Sequence, residues 1–437
     1  IEWRSINPNA HGDWISVRSL DFATWPPLAG RGPSYFKSSS GGLKTNRDAW
    51  AYSFSKDQLW SQVGRSIEAF NSIKDIDDVI STEIKWSSEF DKYLRSGRKL
   101  SFSRRAIRAS YRPYCTQWCY FSREFNDRPG QLFNYFPSEF HENVGFYITG
   151  ASSASRPFAA IATNKLPDLS LSGSGSGQYF PRFTWELVET PEDQLTYGAE
   201  DAETRADSSS YGRLGETIDG YRRVDNISNE IKKLYREALG EDITGDDIFH
   251  FVYGQLHDPG YRKSYEADLK KMLPHIEIPT NRERFNQVTS AGKELIDLHL
   301  NFEDVAPWPV TVEVKPSADP EDRETWRVTS LKWTKKKDPE TGKNVNDVTR
   351  MIYNPKVTIS DIPAEADEYM LGARSALAWI IDRYKVKKDN ASGIINDPND
   401  WADEVGNPRY IVELIAKVTR VAVETVRIVD SLRAPQS

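Results

Sequence analysis

From Pro408 to about Leu432, the apolar residues Ile411, Ile415, Val418, Ala422, Val426 and Val429 step by three and four. That is the spacing of one face of an α-helix. The β-branched content alone favours strand, but strand side chains alternate with period two and cannot reproduce this stepping. A long helix is therefore predicted near the end of the chain, with an apolar face that must pack against something. The same stepping marks Lys56 to about Ser72, through Leu59, Val63, Ile67 and Phe70. It returns three times over residues 225–300, where Asp258-Pro259-Gly260 stops one helix.

The first 185 or so residues are patterned differently. Ala49–Phe54 alternates, while Pro113–Phe121 and Val144–Gly150 are aromatic or β-branched runs between turn residues. Gln178–Glu186 carries Pro181, which suits an edge strand. Residues 301 to about 360 again read as strands, with Lys335–Asn344 as the turn between two of them. The expected class is α+β, in three parts. Residues 1–185 form a β-rich region and 186–224 an acidic, flexible connection. Residues 225–437 form a helical scaffold with strands around 308–360, a small β-hairpin region and the long C-terminal helix.

Charge narrows the function classes. The 437 residues carry a net charge of −7. Lys92–Arg128 holds ten Lys/Arg against Glu124 and Asp127, so this segment is +8 and the remainder −15. Phosphate attraction is local, so such asymmetry matters more than the total. Both a phosphate-binding face and an ordinary solvated surface fit. No apolar run approaches the ~18 residues of a membrane span, and no basic-plus-apolar leader opens the sequence. Two cysteines are too few for a disulfide framework. A cytoplasmic protein is expected.

Several stretches imitate enzyme motifs and lack their context. "GSGSG" (Gly173–Gly177) runs into a strand, whereas a phosphate loop opens a helix. No GxxxxGKS/T pattern occurs. "NPRY" resembles an adenine-methyltransferase motif without its second proline; Asn407 as N-cap and Pro408 at the first helical position explain it. "VEVK" places Glu313 and Lys315 as in some metal-dependent nucleases, but no further carboxylate on a neighbouring strand is evident. The six histidines lack close metal spacing, and Cys115 and Cys119 fall on one strand face, where packing suffices. No catalytic or metal-ligating set is expected.

The order of motifs carries more. "SSGGLKTNRDAWAYSF" resembles an S-x-G-x-K-T-x-R-D segment that follows the methyltransferase domain in large single-chain restriction–modification proteins. "RASYRPYCTQWCYF", "ATNKLPDLSLSGSGSGQYFPRFTWE", "GDDIFHFVYGQLHDPGYRKSYEADLKKMLPHIEIP" and "IYNPKVTISDIPAEADEYMLGARSALAWIIDRYKVKKDNASGI" follow in the same order. Together these resemble the C-terminal target recognition, or specificity, region of type ISP restriction–modification enzymes and of their DEAD/DEAH helicase-type relatives. One departure is His275, where relatives carry Arg; another is the long acidic stretch after Glu186.

The resemblance implies sequence-specific recognition of double-stranded DNA by the β-rich region, without catalysis in this piece. It implies the methyltransferase domain of the same full-length chain as a second partner. S-adenosylmethionine, ATP and Mg²⁺ are then expected only in the nuclease, ATPase and methyltransferase parts, and the opening of the sequence reads as a cut just after the methyltransferase. Recognition needs cations for phosphate and polar side chains for base edges. Candidates in the opening loop are Lys44, Thr45, Asn46 and Arg47, which equally suit a turn closed by Asp48 or a junction with the methyltransferase. Arg104, Arg105 and Arg108 suit backbone contacts. Arg112 suits either DNA or a buried carboxylate. Arg156, Asn164 and Lys165 complete the set. The rival readings are a nuclease using Glu313 and Lys315 and a protein-interaction scaffold with no DNA role.

Overall fold

The computed structural model describes residues 18–74, 84–150, 157–173, 175, 177–188 and 209–433. Two hydrophobic cores organise them, and neither follows the expected division near residue 225. One core joins Leu43, Trp50, Leu59, Phe90, Tyr120 and Leu166 to Trp326, Met351, Trp379, Ile415 and Val418. The other joins Phe22, Tyr35, Phe36, Phe146 and Phe180 to the helical residues Ile231, Phe249, Val252, Phe285 and Leu295. The β-rich part thus contributes to both bodies instead of forming a unit of its own.

Two four-stranded sheets build the first half. In one, Ser40–Gly41, Gln178–Pro181, Gly145–Ile148 and Ala160–Thr163 lie in that order, all antiparallel. Gln178–Pro181 is flanked on both sides at Gln178 and Tyr179 only. Pro181 lies beyond the reach of Ser40–Gly41, so its missing N–H costs no ladder bond. The edge-strand expectation therefore holds for the proline end alone. In the other sheet, Cys115–Cys119 lies between Tyr52–Ser53 and Ile107–Arg112, and Leu166–Pro167 joins the far edge in parallel. Ala49–Phe54, read as one strand, is a short helix Asp48–Ala51 followed by the two-residue strand. Alternation of Trp50, Tyr52 and Phe54 is satisfied because all three are buried.

The region expected to be an unpatterned connection also contains structure. Thr217–Ile218 and Tyr221–Asp225 form a hairpin that adds to Phe183–Leu187. Arg182 then anchors this sheet from within: it bonds Asp225 and, at 2.9 Å, Asp246, and Lys232 reaches Asp225 at 3.1 Å. Ser209 and Ser210 also donate to Asp246. These charges are buried and mutually compensated, which is the condition under which burial is tolerated.

The predicted helices Lys56–Ser72, Asn229–Leu239, Gly245–His257 and Arg282–Leu300 are present, each N-capped by Ser55, Ser228, Thr244 or Asn281. Asp258 ends one helix and N-caps the next, Pro259–Ser264. Gly254 and Gly292 let Gly245–His257 and Arg282–Leu300 approach closely: a Cβ on Gly292 would collide with the His250 carbonyl oxygen. Of the later strands, Trp326–Trp333 contributes only its end, to Lys332–Lys337, which pairs with Asn344–Ile352. Thr311–Val314 and Val357–Ser360 complete that sheet. Tyr410–Ser431 is the long helix, starting two residues later than expected, with the Asn407 side chain accepting from Arg409 N–H.

Candidate nucleic-acid interface

The opening loop is fixed by its glycines. Gly42 runs so close to the backbone of Asp168 and Leu169 that a Cβ would overlap it. Leu43 N–H donates to Pro167 at 2.7 Å, and Leu169 N–H donates to Leu43 at 2.9 Å. Two motifs far apart in sequence, "GGLKTNRD" and "LPDLS", are therefore one structural feature.

That feature sorts the loop's polar residues. Thr45 is buried; its hydroxyl donates to Asp48 and accepts from Arg47 N–H at 3.1 Å. Arg47 is 1 % exposed. Its guanidinium lies 3.4 Å from the Phe90 ring centroid and 5.0 Å from that of Phe125, and it donates to Ser87. Burial lowers its pKa to about 9. Arg47 is thus packed inside the fold, with no face to offer a duplex. Lys44 is half-buried and pairs with Asp127 at 3.1 Å. Asn46 alone of the four is fully exposed, at a left-handed φ of 58°.

The other arginines divide in the same way. Arg112 is 9 % exposed and pairs with Asp168 at 2.7 Å, the structural alternative of the two its sequence allowed. Tyr52 and the Ser170 N–H also donate to Asp168. Burial, opposed by Arg112, still raises the Asp168 carboxyl to about 6. Arg108 lies 3.7 Å from the Trp401 ring and 5.0 Å from that of Trp118, and burial lowers its pKa. Lys165 pairs with Glu303 at 3.5 Å and Asn164 beside it is exposed. Arg156 lies outside the described residues.

Arg104 and Arg105 are exposed, and no ion pair engages either among the described residues. They rim a groove of about 450 Å³ floored by Ile107, Phe121 and Pro137, with Glu139 and the 65 %-exposed Phe140 on the opposite wall. The surrounding basic segment is less free than its +8 implies. Lys92 and Arg95 pair with Glu89 and Asp91 on their own helix, acids that lie just upstream of the counted stretch or within one turn.

A larger cleft of about 780 Å³ brings the opening loop against residues the sequence reading did not select. Lys85, Lys387 and Asn396 line it together with Lys44, Asn46 and Tyr111. The two-stranded hairpin of Lys387–Lys388 and Ile395–Asn396 supplies one wall. The available signal was "KVKKDN", a local run of cations ahead of a turn. Glu313, the nuclease candidate, bonds Arg350 at 2.6 Å and Ser360 at 2.9 Å. Among the described residues no three His, Cys, Asp or Glu side chains gather as a metal site, and no helix is long and apolar enough to cross a membrane.

The family model of the Type ISP C-terminal specificity domain matches residues 34–414. The chain belongs to that family. Solved structures of similar fold agree. The chain is 28 % identical, with a TM-score of 0.80, to the ATP-dependent Type ISP restriction-modification enzyme LlaBIII bound to DNA, over 98 % of this chain and 25 % of that one. It is 30 % identical, with a TM-score of 0.75, to a nuclease-deletion mutant of the Type ISP restriction-modification enzyme LlaGI in complex with a DNA substrate mimic, over 99 % and 36 %. A DrdV–DNA complex matches at 28 % identity and a TM-score of 0.78, over 100 % and 41 %. This specificity domain therefore spans between a quarter and about two fifths of the length of those proteins. No curated protein matches it.

Proposed function

We propose that this specificity domain recognises a defined sequence in double-stranded DNA on behalf of a larger restriction–modification protein and performs no chemistry itself. The observation that carries the reading is the likeness, over essentially the whole chain, to Type ISP enzymes in complex with DNA. The residue geometry supports it. Arg104 and Arg105 present uncompensated guanidinium groups for phosphate, and Asn46 and Asn164 present amides of the kind that read base edges. Lys44 and Lys165, held by Asp127 and Glu303, are half-exposed reserves beside them. Arg47, Arg108 and Arg112 act indirectly, by holding the loops that carry these groups. The methyltransferase domain of the same full-length protein is the second partner, and the chemistry needing S-adenosylmethionine, ATP and Mg²⁺ belongs to the other domains. Electrophoretic binding of the chain to duplex DNA at low salt tests the reading. Retarded complexes whose affinity falls steeply with salt are expected; absence of any complex would contradict it.

A further inference from the structure

The antiparallel pair Lys332–Lys337 and Asn344–Ile352 is a second cationic element, remote in sequence from the β-rich region. Its register assigns faces. Lys335 lies opposite Asn346, and Lys337 opposite Asn344; side chains directly opposite each other share a face. Lys335, Lys337, Asn344 and Asn346 are all exposed. Lys335 Nζ donates to Asn346 Oδ1 at 2.6 Å, and no carboxylate pairs with Lys335 or Lys337 among the described residues. The opposite face carries Thr334, Lys336, Val345 and Asp347, where Lys336 is neutralised by Asp347 at 3.5 Å. One face of the ribbon is thus compensated within itself. The other holds only cations and amides.

The outer half of the ribbon has no buried residue between Thr334 and Arg350. A two-stranded ribbon without a core is marginal in water by itself, and it has the dimensions that a major groove admits. We propose that the Lys335–Lys337–Asn344–Asn346 face is a duplex-DNA contact surface, with the lysines on phosphates and the asparagines toward the bases. The proposal rests on the DNA-recognition reading above and adds a contact on the C-terminal part of the chain.

The test compares Lys335→Gln/Lys337→Gln with Lys336→Gln in the full 437-residue chain. Circular dichroism and the unfolding midpoint confirm that each variant folds. The readout is the slope of log affinity against log salt on one duplex. Two lost phosphate contacts should flatten the slope by about 2, while the Lys336 variant keeps the original slope. An unchanged slope in the double variant would overturn the proposal and point to a protein partner for this face. Equal flattening per charge in the Lys336 variant would also overturn it, because face would then not matter. If the unsubstituted chain binds no duplex at all, the DNA reading itself fails, and the ribbon proposal with it.

Discussion

The Arg47 guanidinium stacks 3.4 Å from the centre of the Phe90 ring, inside the fold. Its Nε and Nη1 find no hydrogen-bond partner there. The most prominent cation of the opening loop is therefore a packing residue whose charge is a burden. Replacing a buried charge with an apolar side chain of similar volume is often neutral or stabilising. Arg47→Met should keep the unfolding midpoint within about 1.5 kcal/mol of the parent and leave the salt slope of DNA binding unchanged. A slope flatter by about 1 would show instead that Arg47 reaches a phosphate.

Arg104 and Arg105 are the opposite case, exposed on the rim of the Phe140 groove. Substituting both by Gln should flatten the salt slope by about 2 and weaken cognate and random duplexes alike. Stability should move by no more than about 0.5 kcal/mol, because neither side chain supports the core. Thermal melts beside the binding titrations separate the two effects.

Gly292 faces the His250 carbonyl across the contact of two long helices. Gly292→Ala gains helix propensity of about 1 kcal/mol but must push backbone away from backbone. Overpacking of this kind costs about 1–3 kcal/mol or more, so the urea midpoint should fall. A rise would mean that the helices have room to separate.

His250 is buried against the Tyr211 hydroxyl at 2.7 Å, and burial lowers its pKa to about 4. The unfolded chain binds this proton near 6.5, well before the folded one does. Stability from the neutral imidazole is complete above about 6.5 and is lost as pH falls toward 4. His299, lowered to about 3 between Tyr253 and Thr425, adds in the same direction. For His250 alone the difference is about 3 kcal/mol. The unfolding midpoint should drop steeply between pH 6.5 and 4, and less steeply in His250→Gln.

Periodicity made the long helices legible, since caps and apolar stripes are local and agree with tertiary packing. Short elements were not. Asp48–Ala51 is helical because Thr45 and Arg47 are tied into the fold around it, and no pattern within four residues encodes that. The hairpin at Tyr221–Asp225 was hidden in acidic surroundings because Arg182, some forty residues earlier, holds Asp225. In the candidate site the sequence showed which residue types were present but not which way they face. Arg47 and Arg105 are equally cationic on paper; one is covered by Phe90 and the other is open. The Lys335 ribbon was legible only as a turn, since its two faces are defined by cross-strand register.

The central claim is recognition of one sequence, which a selection from a random duplex pool measures directly. The chain, immobilised and challenged at near-physiological salt through successive rounds, should enrich a single short motif over the starting pool. Tight binding with no motif enriched would contradict the account, leaving a phosphate-binding surface without specificity.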